Sequence, residues 1–321
     1  MLKTMLQYLI ILLDEASVSF CHYNVPAVSQ KYKGLISLDT LRAGIFFAMK
    51  ENLNIQFVYP PKEIPKEYAD VIESIDHTKI KPESHADDAN ILVLTEWKTQ
   101  VTECAKNATC IIQASRQELK EHLESVKVLL SKVTRLNIML TDIDSFSDED
   151  IDDYQSILNN LSDALFEQYM SGRMVHLNLL TDRMLLSEMN NCGAGDTCLT
   201  LAPNGKFYPC PAHYYDNPKQ YVGTLKDGLN IKNQYLFRLD HAPICRHCDA
   251  YQCKRCVWMN SKLTLDVNTP SHQQCVVAHL ERNASRNLIT KMKEQGVLIS
   301  DTHEIGEIDY LDPFNNYKQW K

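Results

Sequence analysis

The sequence predicts an α/β protein, with a parallel sheet followed by a small cysteine-rich region and a C-terminal helix. Six apolar, strand-like stretches alternate with helical patterns up to residue 181. Eight of the eleven cysteines then fall between residues 192 and 275. The composition, 44% hydrophobic and 23% charged over 321 residues, gives room for one large core and a smaller appendage. The net charge of −8, with no basic stripe, argues against a nucleic-acid partner.

The elements follow in order. "QYLIILL" (7–13) is the first strand. Its apolar run is too short to span a membrane and closes on Asp14 and Glu15 without a small-residue cleavage site, so a buried strand in a cytoplasmic protein is expected, with no membrane partner. A helix follows around 37–52, with Ser37 as N-cap. "IQFVY" (55–59) is the second strand, and Pro65 introduces a weaker helix near 66–75. Strands at 90–97 and 109–115 come next. Ser115 and Glu118 then form a capping box for a helix at 116–132. A fifth strand (135–143) leads to a helix at 147–169. Its acidic first turn suits the helix dipole, so that charge run is structural. "MVHLNLLT" (174–181) is the sixth strand. The alternation implies right-handed crossovers and fits either a doubly wound sheet or an incomplete barrel, with functional loops at the C-terminal ends of the strands.

Helical periodicity fades after about residue 185, and a domain boundary is expected near 186–191. This divides the chain into 1–188, 189–280 and 281–321, the last comprising most of a helix at 275–295 and an aromatic tail. That tail, "DYLDPFNNYKQW", reads either as a packing strap or as a docking segment.

Cysteines in the cytoplasm stay reduced, which favours metal over disulfides. "CRHC" (245–248) and "CKRC" (253–256) are two C-x2-C pairs four residues apart. That spacer lets two thiolates face one ion while backbone N–H groups reach the sulfurs. With Cys192, Cys198, Cys210 and Cys275 they make eight thiols, enough for two four-cysteine sites. Two iron–sulfur clusters are the favoured reading, and two zinc ions remain open on spacing alone.

In order and spacing these cysteines resemble the SPASM domain of peptide-modifying radical S-adenosylmethionine enzymes. That pattern opens with a cysteine and Gly-x4-Cys, matched by Cys192, Gly205 and Cys210. It continues with four cysteines and ends with a separate one, matched by Cys245, Cys248, Cys253, Cys256 and Cys275. The run here is C-x2-C-x4-C-x2-C, whereas the family has C-x2-C-x5-C-x3-C. The resemblance implies interleaved ligation: one [4Fe–4S] cluster on Cys192, Cys198, Cys210 and Cys256, a second on Cys245, Cys248, Cys253 and Cys275. It also implies that the N-terminal part is the partial (β/α)6 barrel of radical S-adenosylmethionine enzymes.

Those enzymes carry C-x3-C-x2-C after their first strand. Aligned on Cys21 and Tyr23, "SVSFCHYN" offers Ser17 and Asn24 in place of the first and third cysteines. The Gly-Gly-Glu expected after strand two is replaced by Tyr59-Pro60-Pro61, which lacks both glycine freedom and proline N–H groups. The resemblance therefore implies a degenerate domain that does not cleave S-adenosylmethionine and no catalytic residues. With the runs "LIILLDEASVSFCHYN" and "GIFFAMKENLNIQFVYP", the combination resembles the CXXX repeat peptide maturases. This implies a maturation factor that binds a ribosomally made, cysteine-rich precursor peptide and works beside a separate modification enzyme. Two other readings are a redox enzyme using the clusters for electron transfer and a zinc-stabilised peptide-binding protein.

The remaining candidates have plainer readings. Cys21 reads as a surviving ligand, a reactive thiol or a buried small residue, with burial favoured; His22 is expected as a loop histidine, and Cys104 and Cys110 as inert. His213, His241, His247 and His279 are expected beside the ligands or on the surface and not as ligands themselves.

Overall fold

The structure, a computed structural model, describes residues 6–22, 34–99, 105–253, 255–297 and 302–305. Seven parallel strands follow the chain: β1 (Tyr8–Leu12), β2 (Asn54–Val58), β3 (Thr78–Pro82), β4 (Ile91–Leu94), β5 (Thr109–Ala114), β6 (Arg135–Leu140) and β7 (His176–Leu177). Each pairs with the next, so no strand-order reversal interrupts the run. A doubly wound sheet needs such a reversal, and the sequential order is that of a partial barrel.

On the other side of β1 the sheet continues with β8 (Cys198–Leu201), also parallel. Three short antiparallel strands follow: β9 (Lys206–Tyr208), β10 (Gly223–Thr224) and β11 (Gly228–Leu229). Among the described residues the cysteine-rich region thus shares one sheet with the barrel. Gly205 closes the β8–β9 turn at φ 74°, a left-handed conformation that most side chains resist, and its N–H donates to the Ala202 carbonyl.

The helices are α1 (Leu38–Lys50), α2 (Lys66–Ile72), α3 (Arg116–Glu121), α4 (Leu123–Leu130), α5 (Asp148–Met170), α6 (Pro211–Asp216), α7 (Val257–Leu263) and α8 (His272–Glu294). Ser37 caps α1 as expected, and capping boxes at Ser115, Ser147 and Ser271 open α3, α5 and α8. The expected helix at 116–132 divides at His122, whose backbone leaves the helical range.

Three other expectations change. The stretch Thr78–Pro82 is a strand, unforeseen because two of its five residues are lysines. The strand at 90–97 contracts to Ile91–Leu94, and that at 174–181 to His176–Leu177. Thr181 turns the chain there, its hydroxyl bonded to both N–H and C=O of Leu177.

Strand β1 is buried on both faces. Leu9, Ile11 and Leu13 pack with α1, α2, Leu199 and Leu201, while Ile10 and Leu12 join Val58, Ile80, Val93 and Ile111 on the inner face. Gly44 in α1 allows close contact with β8, since a Cβ there would meet the Leu201 side chain at 2.3 Å. The larger core joins β4–β7 and α3–α5 to α8 through Val277, Ala284, Leu288, Ile289 and Met292. A buried ion pair ties α8 to the sheet end: Arg183 Nη2 donates to Glu281 Oε2 at 2.9 Å, with both side chains fully inaccessible. Tyr154 donates to the other carboxylate oxygen at 2.7 Å, and Arg183 also donates to the Ala250 and Gln252 carbonyls. Among the described residues no helix is long and apolar enough to cross a membrane.

Candidate metal centre

The loop after β1 is fixed by its own polar groups. Ser17 is fully buried; its Oγ accepts from the Asp14 N–H at 3.0 Å and donates to the Val58 carbonyl at 2.8 Å. Gln113 of β5 donates from Nε2 to Ser19 Oγ at 2.7 Å and to the Cys21 carbonyl. The His22 ring bonds the Leu140 carbonyl at the end of β6 through Nδ1, at 2.8 Å. These bonds fix 17–22 across the C-terminal ends of three strands.

Ser17 cannot serve as a metal ligand in this arrangement, because its hydroxyl is committed on both sides. The end of β2 is committed too: the Tyr59 N–H donates to Ile80 and its carbonyl accepts from the Val18 N–H, each at 3.0 Å. Tyr23 and Asn24 lie outside the described residues. With Cys21 as the one thiol among the described residues of this loop, the donor set after β1 does not fit a three-thiolate cluster.

The eight downstream cysteines are gathered in two places. Cys192, Cys210 and Cys256 line one cavity of about 180 Å³, together with Arg255, Trp258 and, from the barrel, Cys21, Met139 and Asn178. Cys198, in β8, lies within electrostatic reach of Cys192. A second cavity of about 210 Å³ is lined by Cys245, Cys248, Cys253, Cys275 and His279. Cys253 borders both cavities.

Local backbone explains how the sulfurs are presented. N–H groups two or three residues downstream point at them: Ala194 at Cys192, Ala212 and His213 at Cys210, Trp258 and Met259 at Cys256. In the second set the Ala250 N–H reaches Cys248 Sγ at 3.5 Å and the Arg255 N–H reaches Cys253 Sγ at 3.2 Å. Such donors favour thiolate over thiol. Burial opposes them and wins in the metal-free chain. It pushes Cys198 and Cys256 up to about 12 and Cys245 to about 11, with neighbouring thiols adding to the rise. Cys192 is exposed as a residue, yet desolvation of its thiol still raises its pKa. Thiols gathered at a cavity, with amide donors aimed at them and the Arg255 charge within reach, are suited to losing their protons to a metal ion or cluster. Soft thiols with amide donors have the right chemistry for four-thiolate sites, although among the described residues no three of these sulfurs lie within 4.8 Å of one another.

Arg255 adds a second indication of anionic occupancy. It is 1% exposed, and among the described residues Nε has no hydrogen-bond partner. Nη2 donates to Asn268 Oδ1 at 2.5 Å, and the guanidinium makes no salt bridge to a carboxylate among the described residues. Its charge lowers the pKa of Cys192, Cys256 and Cys245, against the larger effect of burial. Burying a guanidinium costs several kcal/mol unless negative charge stands nearby; Asp196 and Asp266 lie within its electrostatic reach, and thiolates in the two cysteine sets would add to them. Trp258, on the same cavity, also has an unpartnered buried N–H.

The histidines divide in two. His213 is buried with Nδ1 at 3.2 Å from Cys210 Sγ, and burial lowers its pKa to about 4. His279 Nε2 lies 3.4 Å from Cys248 Sγ, and the donor atoms of Cys248, Asp249 and His279 all lie within 4.8 Å of one another. Arg282 holds the Asp249 carboxylate, so it is already charge-compensated. His241 stacks edge-on against Tyr235, and His247 is half-buried; neither lines either cavity.

Cys110 is fully buried in β5, and Cys104 lies outside the described residues. Cys21 is half-buried as a residue, with its thiol desolvated, and lines the cavity of the first cysteine set. The C-terminal segment "DYLDPFNNYKQW" also lies outside the described residues. Sequence reasoning missed Gln113, Arg183, Arg255 and Glu281, whose partners are far away in the chain.

No protein-family model matches this sequence, and no curated protein does. Solved structures do. Native anSMEcpe with bound AdoMet and Cp18Cys peptide superposes with a TM-score of 0.60 at 14% identity, covering 90% of this chain and 99% of that one. The chain has a radical-SAM-like fold. Polyhistidine-tagged anSMEcpe with bound AdoMet gives a TM-score of 0.60 at 12% identity, over 92% and 96% of the two chains. Native anSMEcpe with bound AdoMet and Kp18Cys peptide gives 0.56 at 14%, over 89% and 99%. At these identities the likeness establishes the fold alone.

Proposed function

We propose that this chain is a cytoplasmic maturation factor for a ribosomally made, cysteine-rich peptide. It binds the precursor beside a separate modification enzyme and does not itself cleave S-adenosylmethionine. One [4Fe–4S] cluster is held by Cys192, Cys198, Cys210 and Cys256, the other by Cys245, Cys248, Cys253 and Cys275. The chain divides functionally into a degenerate barrel (1–188), a SPASM-like region (189–280) and a C-terminal helix and tail (281–321).

The observation that carries this reading is the contrast in donor sets. Seven of the eight thiols line two cavities with amide donors and a buried cation, and Cys198 lies close to the first, while Ser17 after β1 is spent on protein hydrogen bonds. The bound peptides of the structural neighbours support a peptide as the partner. Bound clusters would link segments distant in sequence and offer redox-capable centres. The protein residues orient the thiolates, keep water from them and compensate their charge.

Anaerobic purification with iron, sulfide and zinc analysis tests the metal. About eight irons with matching sulfide per chain is expected, whereas about two zinc ions without sulfide would leave a zinc-stabilised peptide binder. Incubation with S-adenosylmethionine and a strong reductant is expected to yield no 5′-deoxyadenosine; accumulation would overturn the non-radical assignment. A synthetic peptide with Cys-x-x-x repeats is expected to bind the loaded protein, and to be displaced less readily than a serine-substituted copy.

A further inference from the structure

Cys21 has no place in either four-cysteine set, yet the fold delivers it to one of them. It lines the same cavity as Cys192, Cys210 and Cys256. Its position is built: Gln113 donates to its carbonyl and to Ser19 Oγ, and His22, the next residue, is tied to the Leu140 carbonyl. Two strands thereby hold the residue at the cavity wall. The cavity also carries two buried donors without partners among the described residues, Arg255 Nε and Trp258 Nε1, which call for acceptor or negative charge there.

The four assigned thiols are not held equally. Cys198 is in a sheet strand, while Cys210 and Cys256 stand at the N-caps of α6 and α7. Cys192 is exposed and precedes the Gly193–Cys198 turn, outside any strand or helix. It is the ligand with the weakest structural hold.

We propose that Cys21 is a fifth thiol of the Cys192, Cys198, Cys210 and Cys256 metal site, placed to take over as ligand when Cys192 is displaced. This rests on the reading that these four cysteines bind metal. The exchange is a simple substitution at a metal ion: one sulfur–metal bond breaks, one forms, the Cys21 proton leaves to solvent and the Cys192 thiolate takes one up. No change of oxidation state is involved. A barrel-borne thiol at this site would couple the loop after β1 to the cysteine region, so that an opening of Cys192 need not empty the site.

The test uses the full chain, purified anaerobically as wild type, Cys21→Ser, Cys192→Ser and the double variant, with iron, sulfide and zinc measured on each. Wild type and Cys21→Ser are expected to carry equal metal. Cys192→Ser should retain that content with an altered absorbance or paramagnetic spectrum, and the double variant should lose about half of it. A second measurement does not depend on the double variant folding: in loaded Cys192→Ser, Cys21 should resist iodoacetamide until a chelator removes the metal. If Cys192→Ser alone loses as much metal as the double variant, or if Cys21 alkylates freely in it while loaded, the proposal is overturned. A wild-type protein without metal would sink the proposed function as well, which distinguishes the two failures.

Discussion

The loop after β1 and the loops bearing the eight downstream cysteines use their polar atoms in opposite ways. In the first, Ser17, Ser19, Gln113 and His22 are bonded to protein atoms, and these bonds leave Cys21 at the wall of a cavity. In the second, buried sulfurs face two cavities, amide groups are aimed at them, and Arg255 is enclosed without a salt bridge among the described residues. The difference shows how one fold can saturate the polar atoms of one loop with protein partners and leave buried polar groups of another without them among the described residues.

The strongest way to break this comparison is to strip the metal. Apparent binding energies for structural zinc are about 10–16 kcal/mol, so chelation should open 190–270 to protease while fragments of β2–β7 persist. An apo protein as resistant as the loaded one would erase the contrast. The next largest effect is expected where the regions are bolted together. Arg183→Met strands the buried Glu281 carboxylate and should cost about 3–5 kcal/mol in chemical denaturation. A change below 1 kcal/mol would mean the two regions are not joined there.

Arg255→Met probes the second region alone. It should weaken metal retention by about 10–100-fold, as loss of an outer partner does, with little change in far-ultraviolet dichroism. Unaltered retention would remove Arg255 as the charge partner of the thiolates. Ser17→Ala probes the first region and should lower stability by about 1–3 kcal/mol, because two buried backbone groups lose their partner. Metal content should stay at the wild-type value, and a fall would show that Ser17 itself serves the metal site.

The smallest effect lies at the start of α5, away from both regions. The backbone and side-chain bonds from Ser147 hold the Asp150 carboxyl below its ordinary value. A depressed carboxylate stabilises the fold above its unfolded-state pKa, and that contribution is lost as pH falls through the folded-state value. In Ser147→Ala the Asp150 carboxyl should titrate higher by NMR; an unchanged titration would place the cause elsewhere.

Much of this was legible from local pattern. Strands with apolar runs, serine caps with their acidic partners, and the grouping of cysteines all depend on neighbours a few residues apart. Strand β3 was not legible, because Lys79 and Lys81 interrupt its apolar pattern; their charges are met by Glu73 and Asp88 after folding. Arg183, Glu281 and Arg255 were invisible for the opposite reason: each looks like a surface charge until distant chain buries it. The placing of Cys21 beside the downstream cysteines was not legible, because the Gln113 and His22 bonds that bring it there span three strands.

The position of β1 has a consequence for biosynthesis. Tyr8 pairs with Asn54 on one side and with Cys198 on the other. At about 5–20 residues per second, the ribosome needs roughly ten to forty seconds to deliver the second partner. Throughout that interval the nascent chain carries an open, apolar strand edge, which invites pairing with other chains. Because β8 closes that edge and contains Cys198, the same synthetic event ends the exposure and brings the second thiol of the first set into place.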